Sequence, residues 1–355
     1  MKTWLIEKLG EVLEYEQPTK YLVSSTDYKD EYPIPVLTAG KSFVLGNTDE
    51  NKGIFPKEKL PVIIFDDFTT AIKFVDFPFK VKSSAMKILH AKRGRAYIRF
   101  MFYKMLTMKF AHDQHKRYWI SECSNIKIPL PPLAIQKQIV ERLDKIVAAQ
   151  KLNDELIQKT DELFQSLLHS LIRANGGIVK KLGEIAEVIM GQSPPSSTYN
   201  ERGEGLPFFQ GKAEFGEMYP TAVKYCPKPT RIAEAGDILM SVRAPVGNIN
   251  LAKEKSGIGR GLGAIRAGKG VDQSFLYFFF LKNESNWSRL SVGSTFLAIR
   301  RNNLDNLEIP LPPLQTQKQI VSKLSAVQDY KTQLLAQKSK LKELFDSALH
   351  KSMQN

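Results

Sequence analysis

The hexapeptide Ile128-Pro-Leu-Pro-Pro-Leu133 returns, letter for letter, as Ile309-Pro-Leu-Pro-Pro-Leu314. The residues downstream of each copy repeat at the same offset of 181: Gln136-Lys-Gln-Ile-Val140 with Gln317-Lys-Gln-Ile-Val321, and Glu162-Leu-Phe164 with Glu343-Leu-Phe345. Ser166, Leu168 and His169 find Ser347, Leu349 and His350 in the same way. Aligned without a gap, 128–172 and 309–353 share 19 of 45 positions. Solenoid repeats run about 20–50 residues, so this period does not build one. It predicts a duplicated two-part module. Globular regions over 1–127 and 178–308 alternate with helical repeats over 128–177 and 309–355.

Prolines are tolerated in the first turn of a helix but not inside one, so each hexapeptide announces a helix start. From Gln136 to Arg173, before the stop at Asn175-Gly-Gly177, the first helix would be about 57 Å long. One heptad seam fits Ile139, Leu143, Ile146, Gln150, Asn153, Ile157, Thr160, Phe164, Leu167 and Leu171. The same places 181 later hold Ile320, Leu324, Val327, Lys331, Leu334, Lys338, Leu341, Phe345, Ala348 and Ser352. The four-three spacing is that of a coiled coil. Two amphipathic helices, each covering its own domain, are the competing arrangement. Such long helices exceed what a small domain can cover, so pairing with each other is favoured. If the ends of the second globular region lie close together, as domain ends commonly do, the helices run antiparallel. The expected fold is α+β: two α/β domains separated by two long antiparallel helices in a coiled coil, duplicated about a pseudo-twofold.

Both globular regions open alike, Lys8-Leu-Gly-Glu-Val12 and Lys181-Leu-Gly-Glu-Ile185, and share little else. Pro61-Val-Ile-Ile-Phe65, Ile72–Phe77 and Ile238-Leu-Met-Ser-Val242 read as strands, and Gly94–Leu106 as a half-buried helix. The net charge is +14, concentrated after Phe79: residues 80–127 hold 12 basic and 2 acidic side chains, residues 1–79 only 9 against 13. That concentration points to a polyanion. Cys123 and Cys226 form no metal or redox pair and read as reduced thiols. With no signal peptide and no span-length apolar run, a cytoplasmic protein without membrane residence is expected.

The repeated hexapeptide and Gln-Lys-Gln-Ile-Val, opening a long helix after each variable region, resemble the specificity subunit of Type I restriction–modification enzymes. Pro61–Thr70, Val81–Ala85, Gly191–Ser197, Gly236–Gly247 and Gly293–Phe296 are similar to stretches of its target-recognition domains. The resemblance covers essentially the whole chain. It implies a non-catalytic subunit that recognises a bipartite site in double-stranded DNA, one domain per half, with the helices setting the gap. It also implies two modification subunits docked on the helices, methylating adenine with S-adenosylmethionine bound to themselves. Restriction subunits, where present, carry ATP and Mg; no cofactor is expected on this chain. A coiled-coil scaffold whose ends bind protein or structured RNA is the alternative from another class.

Residue patterns agree that catalysis lies elsewhere. Ser193-Pro-Pro-Ser196 lacks the Asn/Asp-Pro-Pro-aromatic signature of an amino-methyltransferase, and no phosphate-binding Gly-x4-Gly-Lys-Ser/Thr loop occurs. Glycine-rich Gly257–Gly263 lacks a clear strand–helix frame, so a tight turn near DNA or a packing loop is favoured over a nucleotide site. The five histidines (90, 112, 115, 169 and 350) offer no compact metal set. Asp66 and Asp67, on opposite faces of a strand, could take a base amino group or a nearby loop. For DNA contact the candidates in the first domain are Lys92, Arg93, Arg95, Arg99, Lys116 and Arg117, with Gln114 and Tyr118. In the second they are Ser193, Ser196, Ser197, Thr198, Tyr199, Gln210, Lys212, Arg243, Arg260, Arg300 and Arg301. Arginine pairs bidentately with guanine and glutamine with adenine, while lysine mainly holds phosphate. A solvated charged face, or for Arg243 a buried ion pair, is the competing reading.

Overall fold

The computed structural model describes residues 4–38, 42–110, 118–174, 177–290 and 298–353. Its longer helices are α1 (Ile98–Leu106), α2 (Leu133–Ala174), α3 (Gln273–Lys282) and α4 (Leu314–Met353). The chain divides into two compact units, Met1–Glu155 with Ala336–Asn355, and Leu156–Leu335, so each long helix contributes to both.

In the first unit, β1 (Leu5–Lys8) and β9 (Lys127–Leu130) form an antiparallel ribbon with Leu5 opposite Leu130. Beside it lies an antiparallel sheet in the order β2 (Leu13–Glu16), β8 (Met86–Ala91), β5 (Val62–Asp66), β6 (Ile72–Val75). A second sheet has the order β4 (Val44–Thr48), β3 (Ile34–Leu37), β7 (Lys80–Val81), with β3 and β7 parallel. The apolar run of β5 makes it the central strand, buried on both faces. Ile63 and Phe65 pack with Leu89 under α1, while Val62 and Ile64 join Phe55, Phe79 and Val81 of the second layer. Alternation along one strand thus builds a helix–sheet–sheet stack.

The second unit repeats this plan with almost none of the sequence. The ribbon is β10 (Ile178–Lys181) with β19 (Glu308–Leu311). The first sheet has the order β11 (Ala186–Met190), β18 (Leu262–Ala267), β15 (Ile238–Ser241), β16 (Ile249–Leu251). The second is β13 (Lys224–Cys226), β12 (Leu206–Phe209), β17 (Ser256–Ile258), β14 (Ile232–Ala233), with β12 and β17 parallel. Ile238 and Met240 pack under the phenylalanines of α3, and Leu239 faces Phe209 and Ile258.

Within each unit the two long helices lie side by side and antiparallel. In the first, Gln150 Nε2 donates to Leu341 O at 3.2 Å and Asp154 meets Lys338 at 2.9 Å, so α4 numbers fall as α2 numbers rise. Val140 and Leu143 share the α1 core with Leu349 and Met353. In the second, Asp161 takes Lys331 at 2.9 Å, and Phe164, Leu168 and Leu171 join Leu324 and Ile320. The expected seam is buried at Leu143, Asn153, Thr160, Ile320, Leu324 and Leu334, whereas Leu168 and Leu349 take over from Leu167 and Ala348. A straight helix drifts against a strict heptad, and here the ends turn toward their own domain. Among the described residues no helix is long and apolar enough to cross a membrane.

The hexapeptide proves to be half strand and half helix: Ile128–Leu130 belongs to β9, and α2 begins at Leu133, three residues before Gln136. Pro132 O accepts from Ile135 N and Gln136 N, closing the first turn. Gln136 is fully buried. Its Oε1 accepts from Tyr97 N at 2.8 Å, and its Nε2 donates to Pro131 O at 2.8 Å and Arg95 O at 3.4 Å. Gln317 repeats each bond, with Asp272 N at 2.7 Å, Pro312 O at 2.8 Å and Gly270 O at 3.4 Å. One amide therefore ties each long helix to the start of α1 or α3. Replacing Gln136 or Gln317 by leucine leaves one N–H and two C=O groups without the amide partner. Urea unfolding of either variant is expected to show a loss of roughly 2–4 kcal/mol, and the glutamate variants a loss at least as large, because a buried carboxylate would face the two carbonyls.

Tyr103 and Arg99 of α1 both donate to Asp144 of α2. Burial and that carboxylate push the Tyr103 phenol up to about 12. The folded state therefore holds this proton more tightly than the unfolded chain, and the stability it brings is complete below the unfolded value of about 10 and lost as pH rises toward about 12. In denaturation across that alkaline window, the advantage of the native chain over Tyr103→Phe is expected to shrink steadily.

Candidate nucleic-acid interface

In the second unit the strand ends carry five segments to one side. β11 and β15 run out where β18 begins, Met190 opposite Gly263 and Ser241 opposite Leu262, while β12 and β17 end together at Phe209 and Ile258. The loops leaving these ends start at residues 191, 210, 242 and 259, and residues 298–300 close in through the Arg243–Ala298 bridge. Backbone bonds knit them: Gln192 N to Ile258 O at 3.0 Å, Gly259 N to Phe209 O at 2.7 Å, Val242 N to Gly261 O at 2.9 Å, Ile299 N to Val242 O at 2.9 Å. Ser193 Oγ accepts from Arg260 N at 3.1 Å. A Cβ on Gly191 or Gly261 would stand 2.1 Å from Gly259 O or Gln210 O respectively, so the glycine-rich stretch is a packing turn.

This rim brings together Ser193, Gln210, Lys212, Arg243, Arg260 and Arg300. Lys212, Arg243, Arg260 and Arg300 are exposed and make no ion pair among the described residues. Gln210 Oε1 accepts from Lys224 Nζ at 3.5 Å. Guanidinium forks without a carboxylate partner, on short fixed loops, suit phosphates and base edges. Farther along the first loop, Ser196 and Ser197 are exposed, Thr198 Oγ1 donates to Pro195 O at 2.7 Å, and Tyr199 donates to Pro194 O while stacking on Phe208. Arg301 is exposed and pairs with Asp305 at 3.3 Å.

The first unit repeats the four backbone bonds of this rim. Val23 N reaches Val81 O at 3.0 Å, Lys82 N reaches Leu37 O at 2.8 Å, Asp67 N reaches Ala85 O at 3.2 Å and Tyr118 N reaches Asp67 O at 3.1 Å. These bonds equate Ser24 with Ser193, Thr38 with Gln210, Phe68 with Arg243, and Lys82–Ser84 with the Gly259–Arg260 turn. Among these rim residues, reading along the sequence misses Ser24, Thr38, Phe68, Lys82, Ser83 and Ser84. Of its described candidates Tyr118 joins the rim through its backbone, and Lys92, Arg93, Arg95 and Arg99 do not. Lys92, Arg93 and Arg95 come after β8 at its other end, Ala91, away from Met86 and Asp66. Lys92 donates to Gly10 O at 3.0 Å, Arg95 meets Glu7 at 2.7 Å, and Arg93 is exposed. Arg99 is held by Asp144 at 2.7 Å over the Phe74 ring, and Tyr118 is buried. Gln114, Lys116 and Arg117 lie outside the described residues, as do His112 and His115. Both acids of the Asp66-Asp67 pair are turned inward: Asp66 takes Phe68 N and Thr69 Oγ1, Asp67 takes Trp119 N and buried Lys87. Among the described residues no His, Cys, Asp and Glu group is placed to hold a metal.

The sequence matches the family described as the Type I restriction modification DNA specificity domain over residues 1–160 and again over 178–343. The chain belongs to that family. As a specificity subunit it is 35% identical over 345 residues to the Type I restriction enzyme EcoR124I/EcoR124II specificity subunit of Escherichia coli, a match covering 90% of this chain and 84% of that one. Its fold is similar to the HsdS subunit from Thermoanaerobacter tengcongensis, with 29% identity, TM-score 0.57, and 100% and 97% of the two chains covered. It is also similar to a chain from a structure on complex assembly and conformational transition of the type I R-M system, with 29% identity, TM-score 0.64, and coverage of 100% and 98%. Membership in this family makes the chain a DNA-recognition subunit and leaves the scaffold reading unsupported.

Proposed function

We propose that each rim reads one half of a bipartite duplex site, with 1–127 and 178–308 as the reading domains and the helical repeats, 128–177 and 309–355, setting the unread gap. One observation carries this: two domains of unlike sequence present the same bonded rim, each locked by the same glutamine to a duplicated helix. Two modification subunits dock on the helices and methylate adenine in each half with S-adenosylmethionine that they bind. Restriction subunits with ATP and Mg join where the system cleaves, in a cytoplasmic complex. The solved relative that concerns complex assembly supports the partnership.

The rim assignment is tested by salt titration of binding to a duplex carrying the methylated motif. Alanine at Arg260 or Arg300 is expected to lower the slope of log affinity against log salt by about one each if the group holds a phosphate. Alanine at Lys92, Arg93 or Arg95 leaves the slope unchanged if DNA meets only the rim, and lowers it if the duplex wraps the first domain. The gap assignment is tested by inserting four residues in the middle of both α2 and α4. Each helix lengthens by about 6 Å, and the methylated motif is expected to gain roughly two base pairs of spacing. An unchanged gap overturns the ruler.

A further inference from the structure

Equivalent hydrogen bonds place Phe68 of the first unit and Arg243 of the second at the same point of the rim, one residue past the paired positions Asp67 and Val242. In both units the last residue of the central strand fixes the turn with a buried side chain. Ser241 Oγ donates to Arg243 O at 2.9 Å and to Pro245 O; Asp66 accepts from Phe68 N at 2.9 Å and from Thr69 Oγ1. In the first unit the turn closes on Thr70, the one non-glycine residue of positive φ (58°) among those described. A β-branched residue is strained there, and it is held by Thr70 N to Asp66 O at 2.9 Å. Such turns present their tip residue in a set place. Phe68 at that tip is 47% exposed, an apolar ring about half open to water, and Arg243 is exposed without an ion pair among the described residues.

We infer that Phe68 and Arg243 are specificity-determining residues standing at matched reading positions. They give the two half-sites different chemistry there: apolar contact with a thymine methyl from Phe68, and bidentate pairing with guanine from Arg243. This rests on the proposed bipartite reading and goes beyond it, because it names one matched position at which the two rims differ in the chemistry they offer a base. A ring offers no hydrogen bond and selects by shape, while a guanidinium fork matches guanine O6 and N7 and rejects the other bases.

The test is selection from a randomised duplex library by the full chain co-purified with its modification subunits. Native chain, Phe68→Arg, Phe68→Leu, Arg243→Phe and Arg243→Lys are compared. Arg243→Phe is expected to reduce guanine preference at one position of one half-site by about 10- to 100-fold, the range of a single bidentate contact. Phe68→Arg is expected to introduce guanine preference at one position of the other half, with the first half unchanged. Arg243→Lys keeps the charge and loses the fork, so the same guanine preference falls; if it stays, Arg243 holds phosphate and the inference is overturned. Phe68→Leu keeps apolar contact and the thymine preference, and guards against a misfolded arginine variant. A native motif that persists unaltered in all four variants overturns this inference alone. A native complex that selects no two-part motif overturns the bipartite reading, and this inference with it.

Discussion

The Gln136 carboxamide sits in the interior with its oxygen on the Tyr97 N–H and its nitrogen on the Pro131 and Arg95 carbonyls, and Gln317 does the same 181 residues later. Only a neutral amide of this length supplies an acceptor and two donors at one point. Leucine would fit the volume and leave the backbone groups unpaired; glutamate would bring a buried charge. Much hangs on this joint. It sets the angle at which a long helix leaves its domain, fixes the first turn of α1 or α3, and holds the proline pair where the chain passes from ribbon to helix. Arg99 and Tyr103 on Asp144 brace the same helix about two turns farther along.

The two domains show how little sequence the shared fold requires. What persists is the pattern: a Leu-Gly-Glu turn after the ribbon, a central strand alternating between two cores, and a polar residue at that strand's end to hold the turn. Ser241 and Asp66 do this last job with opposite polarity, one donating to carbonyls and the other accepting from an amide and a hydroxyl. The rim side chains are under no such packing constraint. They stand beyond the strand ends, where substitution changes the surface and not the core.

The helices and their duplication are legible in the sequence because they are local and periodic, and the central strands because their apolar runs are. The sequence places the helix start three residues late, because the hexapeptide reads as one preface, whereas its first half pairs back to Leu5–Lys8. The rim of the first unit is not legible. It assembles residues near 24, 38, 68, 83 and 118 through long-range pairing, while reading along the chain rewards density of charge. That density favours Lys92–Arg99, where Gly10, Glu7 and Asp144 take up three of the four cations. In the second unit the rim candidates emerge because serine, glutamine and arginine stand in glycine- and proline-marked loops. A visible hint for the first is Asp-Asp-Phe-Thr-Thr, a large ring directly after a fully apolar strand and two acids.

The ribbons settle how a domain is attached. Leu5 lies opposite Leu130, and Ile178 opposite Leu311, so the chain enters and leaves each domain through neighbouring strands a few ångströms apart. Everything between those strands is a closed excursion from a single doorway. Loops within it can lengthen, shorten or change composition without pulling the doorposts apart, and the architecture thereby separates what diversifies from what must stay constant.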